Sequence, residues 1–142
     1  DKVLLDAPCS SDRHLLHDQE ELNKWTPNKT KSNAKRQYLL LSEALKMVRP
    51  DGNIVYATCS ISEEENDKVI EKTLNKSRIP AEIIQTKWAI GEPTKYGWIV
   101  LPDKSDRWGP LYFCLLRRMT DEEAKERNFS ESDESEEDDD ED

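Results

Sequence analysis

Glycine is scarce in this chain. Four glycines in 142 residues, at Gly52, Gly91, Gly97 and Gly109, do not form the glycine-rich turn that cradles phosphates. No apolar run is long enough to span a bilayer, and no positive segment followed by an apolar one marks a secretory leader. Three widely spaced cysteines, an odd number, exclude a disulfide framework and fit a reducing compartment. The two histidines, His14 and His17, lie near Cys9, but no set of three or four ligands closes locally, so no metal is expected. No internal repeat is visible.

Charge is plentiful but unevenly divided. The net charge is −10, yet residues 121–142 hold 14 acids and 2 bases, which is −12. Residues 1–120 hold 17 acids and 19 bases, which is +2. A slightly basic body of about 118 residues is therefore followed by an acidic tail, residues 119–142, whose composition is that of a disordered segment.

Element signals follow in order. Lys2 to Leu5 is a short apolar strand. Residues 9–36 lack clear periodicity. Tyr38, Leu41, Leu45 and Val48 fall on one face of a helix over Asn33 to Arg49, which Pro50-Asp51-Gly52 stops. Asn53 to Thr58 is a strand. Ser62-Glu63-Glu64-Glu65 reads as a capping box opening a helix to about Asn75. Further strands are expected over Ala81 to Thr86, Trp98 to Leu101 and Leu111 to Leu116, with a turn at Trp108-Gly109-Pro110. This order is α/β, with a mostly parallel sheet and hairpin-like late strands. It reads as the second half of a doubly wound domain whose first half lies upstream of Asp1.

Two strings carry chemistry. Leu4-Leu5-Asp6-Ala7-Pro8-Cys9-Ser10 and Val55-Tyr56-Ala57-Thr58-Cys59-Ser60 are apolar runs that each stop at a cysteine. Parallel strands would put both thiols at carboxyl ends, where open α/β sheets bind ligands. Two thiols beside Asp6 point to nucleophilic chemistry on an electrophilic carbon. Ordinary packing is the competing account of any cysteine at a strand end, and it is the reading for Cys114 inside Leu111 to Leu116. Pro8, Asp6, Thr58 and Ser60 are unlike the neighbours of packing cysteines.

The strings Leu5 to Ser10, Arg49-Pro50-Asp51-Gly52, Thr58-Cys59-Ser60, Glu65-Asn66 and Trp108 to Phe113, in this order, resemble the NOL/NOP/Sun (RsmB-like) family of RNA cytosine methyltransferases. Asp51 departs from the Lys/Arg-Pro-Gly-Gly turn of that family. The resemblance implies the C-terminal half of a Rossmann-like domain that uses S-adenosylmethionine. It implies that Cys59 adds to carbon 6 of cytosine and that Cys9 aids release of the methylated base. It implies that Asp6 meets both cofactor and base. The rest of the cofactor site would lie upstream. Asp12-Arg13-His14 resembles the mitochondrial ribosomal-RNA subgroup, which implies RNA, ribosomal RNA above all, as substrate, the mitochondrial matrix as location and a helical-repeat protein as partner. Nucleus, nucleolus or cytoplasm are the alternative locations.

DNA cytosine methyltransferases also carry a Pro-Cys, as their nucleophile. Ser10, where they have Gln, and the second cysteine string favour RNA. A non-catalytic RNA-binding assembly factor on the same scaffold is the other alternative. The acid-free stretch from Lys24 to Gln37 is the expected phosphate-contacting part, through Lys24, Lys29, Lys31, Lys35 and Arg36, with Arg13 near Cys9 and Trp25 as a stacking ring.

Overall fold

A computed structural model describes residues 1–10 and 18–134; Arg13, His14 and His17 lie outside the described residues. The chain runs through β1 (Lys2–Asp6), α1 (Gln19–Lys24), α2 (Pro27–Met47), β2 (Asn53–Thr58), a 3-10 turn (Glu63–Glu65) and α3 (Asp67–Lys76). It continues through β3 (Ala81–Ile84), β4 (Glu92–Pro93), β5 (Trp98–Val100), β6 (Leu111–Arg118) and α4 (Asp121–Glu134).

The strands form one sheet in the order β1-β2-β6-β5-β4, with β3 paired to β6 as well. The second edge of β6 is shared, Leu111 to Phe113 facing β5 and Leu115 to Arg118 facing β3. β1 and β2 are parallel neighbours, Leu5 opposite Tyr56 and Asp6 opposite Ala57. The α/β class is as expected, but the described sheet is mixed rather than mostly parallel, because every other pair is antiparallel. α2 links β1 to β2 and α3 links β2 to β3 in the same direction; the sheet is mixed because β6 runs opposite to β2, β3 and β5 alike, and β4 and β5 are joined by a short antiparallel turn.

Alternation explains the core. In β2, Ile54, Tyr56 and Thr58 point inward and are buried, while their neighbours are only partly covered. Leu41, Ala44 and Leu45 of α2, Val48 just after it, and Val69 and Ile70 of α3 cover that face, which Tyr112, Cys114 and Leu116 of β6 share. Both helices thus lie on the side of the sheet that carries the inward residues of β2.

Three boundaries differ from expectation. α2 begins at Pro27, within the stretch without periodicity, because Thr26 caps it, its Oγ1 accepting from Lys29 N, and Pro27 fits the first turn. The capping box does not form: Ser62 makes no side-chain cap, and the Glu65 carboxylate turns inward. The acidic segment expected to be disordered is helical over Asp121–Glu134. Its first turn places Asp121, Glu122 and Glu123 at the positive end of the helix dipole. Thr120 Oγ1 accepts from Glu123 N, and Arg117 grips the Glu123 carboxylate with both Nη atoms at 3.3 and 2.7 Å.

Candidate active site

β1 and β2 end side by side. Ala7 N still donates to Ala57 O at 2.9 Å, and Pro8, with no N–H, ends the ladder. Beyond it Cys9 and Cys59 are half-buried and not joined in a disulfide, and their Sγ atoms are 2.7 Å apart. Asp6 stands exposed at the same carboxyl end of β1, opposite Ala57 in the ladder. The two strings thus converge on one edge, as their sequence pattern requires.

The turns that carry the thiols are held from below. Thr58 Oγ1 donates to Asn66 Oδ1 at 2.6 Å, and Asn66 Nδ2 donates to Ser60 O at 2.8 Å. Thr58 and Asn66 are buried, so the Thr58-Cys59-Ser60 turn is latched to the start of α3. Glu65 is fully buried. Its Oε1 accepts from Ser10 N at 2.9 Å and from Gln37 Nε2 at 3.0 Å. Its Oε2 accepts from Ser10 Oγ at 2.7 Å and from Ser60 Oγ at 3.1 Å. Gln37 Nε2 also donates to Pro8 O at 2.8 Å. Acceptor-only chemistry suits a carboxylate to this ring of donors.

The floor is tyrosine. Tyr56 Oη donates to Glu65 O at 2.6 Å, and Tyr112 Oη donates to Asp67 Oδ1 at 2.7 Å. Burial pushes both phenols far above their ordinary range, so each stays a neutral donor. Asp67 also accepts from Thr94 Oγ1, Lys95 N and Tyr96 N, which fixes the turn before β5. Beside it opens a cleft of about 340 Å³ lined by residues that include Ile61, Asn66, Asp67, Thr94 and Tyr112. Cys114 belongs elsewhere: it is buried, and desolvation pushes its thiol up to about 12.

The basic stretch divides in two. At roughly 100° per residue, Lys29 and Arg36 fall on one flank of the buried stripe of α2, and Lys31 and Lys35 fall on the other. Lys31 and Lys35 line a cleft of about 300 Å³ with Lys68 and Lys72 of α3 and Glu64. Lys68 pairs with Glu64, and Lys72 Nζ sits 4.3 Å from the Tyr38 ring centre. Lys24 closes α1, and Trp25, between the helices, is 45% exposed. Sequence reasoning missed Lys68, Lys72, Gln37 and Glu65. Only Glu65-Asn66 carried a signal, as a motif without an assigned task.

The residues fit one edge of a nucleoside-cofactor site. Asp6 offers an exposed acid at the carboxyl end of a parallel strand, the usual place for such a ligand. The glycines are elsewhere, Gly52 at the amino end of β2 and the other three bordering β4, β5 and β6.

The sequence profile of the family described as 16S rRNA methyltransferase RsmB/F matches residues 1–117. The mitochondrial tRNA (cytosine(34)-C(5))-methyltransferase of Mus musculus is 32% identical, over 91% of this chain and 40% of its own length. The 5-cytosine rRNA methyltransferase NSUN4 of Bos taurus is 30% identical, over 84% of this chain and 35% of its own. The chain thus spans well under half the length of these curated relatives. Among solved structures, PH0851 superimposes with a TM-score of 0.75 at 31% identity, covering 83% of this chain and 26% of that one. NSun6 from Pyrococcus horikoshii, solved with SFG, gives 0.67 at 27%, covering 83% and 30%.

Proposed function

Since this chain belongs to the 16S rRNA methyltransferase RsmB/F family, we propose that the whole protein methylates carbon 5 of a cytidine in RNA, ribosomal RNA in particular, through a covalent cysteine–cytosine adduct. The observation that carries this reading is the meeting of Cys9 and Cys59 at 2.7 Å on the carboxyl edge of two parallel strands.

Carbon 5 of cytosine is a poor nucleophile. Addition of the Cys59 thiolate at carbon 6 forms a C–S bond and shifts the ring electrons to carbon 5. S-adenosylmethionine, when bound, supplies an electrophilic methyl group; SFG, found in the relative's structure, is an analogue of it. Asp6 is the residue of this chain that would meet the cofactor, and it also reaches toward the pairing edge of the base. Release then requires loss of the carbon-5 proton and expulsion of the Cys59 thiolate. Cys9, beside Cys59, is the group of this chain nearest that step. The base must leave its stack to reach this edge. Arg13, Lys24, Trp25, Lys29, Lys31, Lys35 and Arg36 are its RNA contacts in this reading. The name of the Mus musculus relative supports a mitochondrial location, and a helical-repeat protein partner belongs to the same reading.

A denaturing gel with labelled RNA tests it in the full-length protein. Cys59→Ala should lose methyl transfer and form no adduct. Cys9→Ala should accumulate a protein–RNA adduct. An adduct in Cys59→Ala and none in Cys9→Ala would reverse the roles and favour the mechanism of the DNA enzymes. Unchanged activity in both variants would end the enzymatic reading of this edge.

A further inference from the structure

We propose that Glu65 is a positioning residue that locks the two thiol-bearing turns into one unit. Cys9 and Cys59 come from separate strand ends, and β-ladder bonds stop before either of them. The Ser10 and Ser60 hydroxyls lie 3.4 Å apart, and the Glu65 carboxylate ties both turns to one anchor. It holds Ser10, directly after Cys9, by both Ser10 N and Oγ, and Ser60, directly after Cys59, by Oγ. Gln37 binds the same carboxylate and the Pro8 carbonyl directly before Cys9, so the first turn is held on both sides of its thiol.

Glu65 itself has little freedom to drift. It is fully buried, and its own carbonyl accepts from Tyr56 Oη, rooted in the core. A glutamine of the same shape would offer one acceptor oxygen and an amide nitrogen that donates. Of the four donors around the carboxylate, those facing that nitrogen would lose their partner. The sulfur pair would then move apart without loss of either thiol. The kinetic consequence rests on the methyltransferase reading above; the geometric consequence does not.

The test uses the full-length protein and the variants Glu65→Gln, Ser60→Ala and both together. One readout is methyl transfer, as kcat and KM for RNA. The other is the rate at which diamide closes a Cys9–Cys59 disulfide, followed by peptide mass. Diamide takes up the two electrons and two protons that the thiols release as the S–S bond forms. In Glu65→Gln, disulfide closure should slow by about tenfold and kcat should fall roughly 100-fold, with KM for RNA within about twofold. Ser60→Ala should lose less, and the double variant should be no worse than Glu65→Gln alone. Wild-type closure and kcat in Glu65→Gln would overturn the proposal, as would losses that simply multiply in the double variant. If the wild type transfers no methyl group yet closes its disulfide fast, and Glu65→Gln closes slowly, the methyltransferase reading fails and the positioning role stands. Should Glu65→Gln not fold, Ser10→Ala and Ser60→Ala decide, each removing one hydroxyl from the carboxylate. Unaltered closure in both would sink the idea.

Discussion

The Cys114 thiol donates to the Tyr96 carbonyl at 3.3 Å, sealed beneath the helices, whereas Cys9 and Cys59 are half-buried on the sheet edge. Burial pushes the Cys114 thiol up to about 12. Two outcomes are expected. Alkylation of the native protein at mildly alkaline pH should modify Cys9 and Cys59 and spare Cys114, as read by peptide mass. In addition, a thiol whose native pKa is raised stabilises the fold fully below the ordinary value of about 8.5 and loses that contribution as pH rises. The loss runs toward about 12. Denaturant midpoints should therefore fall above that ordinary value, and Cys114→Val should flatten part of the fall. The rest belongs to Tyr56 and Tyr112, whose phenols are raised in the same sense. An identical alkaline slope in Cys114→Val would refute the assignment.

RNA should follow one flank of α2 more closely than the other. Lys31, Lys35, Lys68 and Lys72 line one cleft from two helices, and Lys29 and Arg36 lie across the buried stripe from it. Every phosphate of single-stranded RNA that a lysine or arginine neutralises adds about 0.7 to the steepness of log K against log salt. Reversing Lys31 and Lys72 to Glu should weaken binding by roughly tenfold and make that slope shallower by about 1.4. Reversing Lys29 and Arg36 should do less. Titrations at several salt concentrations compare the pairs, and a larger effect from Lys29 and Arg36 would move the RNA path to the other flank.

Asp51 occupies a backbone conformation suited to glycine. Its φ is 67°, and its carboxylate accepts from Arg117 Nη1 at 2.9 Å. Asp51→Val should destabilise by about 1–2 kcal/mol, since a branched side chain meets the carbonyl there. Asp51→Gly should stay within about 0.5 kcal/mol of wild type, relief of strain being offset by a freer unfolded chain and the absence of an exposed ion pair. Urea midpoints at constant slope decide; equal losses in both variants would show that the pairing with Arg117 outweighs the backbone.

Much of the fold is legible because it is written locally. The alternation in Asn53–Thr58 marks the boundaries of β2, and two apolar runs ending in cysteine announce parallel neighbours with converging thiols. What escapes is non-local. Glu65 looks like the last residue of a capping box until Ser10, 55 positions earlier, claims its carboxylate. Lys68 and Lys72 look like the solvated face of a helix until α2 brings Lys31 and Lys35 opposite them. The start of α2 is hidden because Thr26-Pro27 lacks apolar periodicity, though its cap chemistry is there to be read. Composition alone assigns Asp121 onward to disorder, and it says nothing of the grip of Arg117 on Glu123.

Tyr56 joins the edge that carries Cys9 and Cys59 to the folding core within one side chain. Its hydroxyl supports Glu65, and its ring meets Tyr112 edge-on at 6.2 Å, with Tyr112 in turn anchoring Asp67. If the proposed chemistry holds, it and folding are inherited together: a lineage that drifts at Tyr56, Glu65 or Asp67 would risk both at once. The flanks of α2 carry no such double duty. Across descendants of such a protein, the proposed reaction should stay fixed while the choice of RNA diversifies, because only the second can vary without loosening the first.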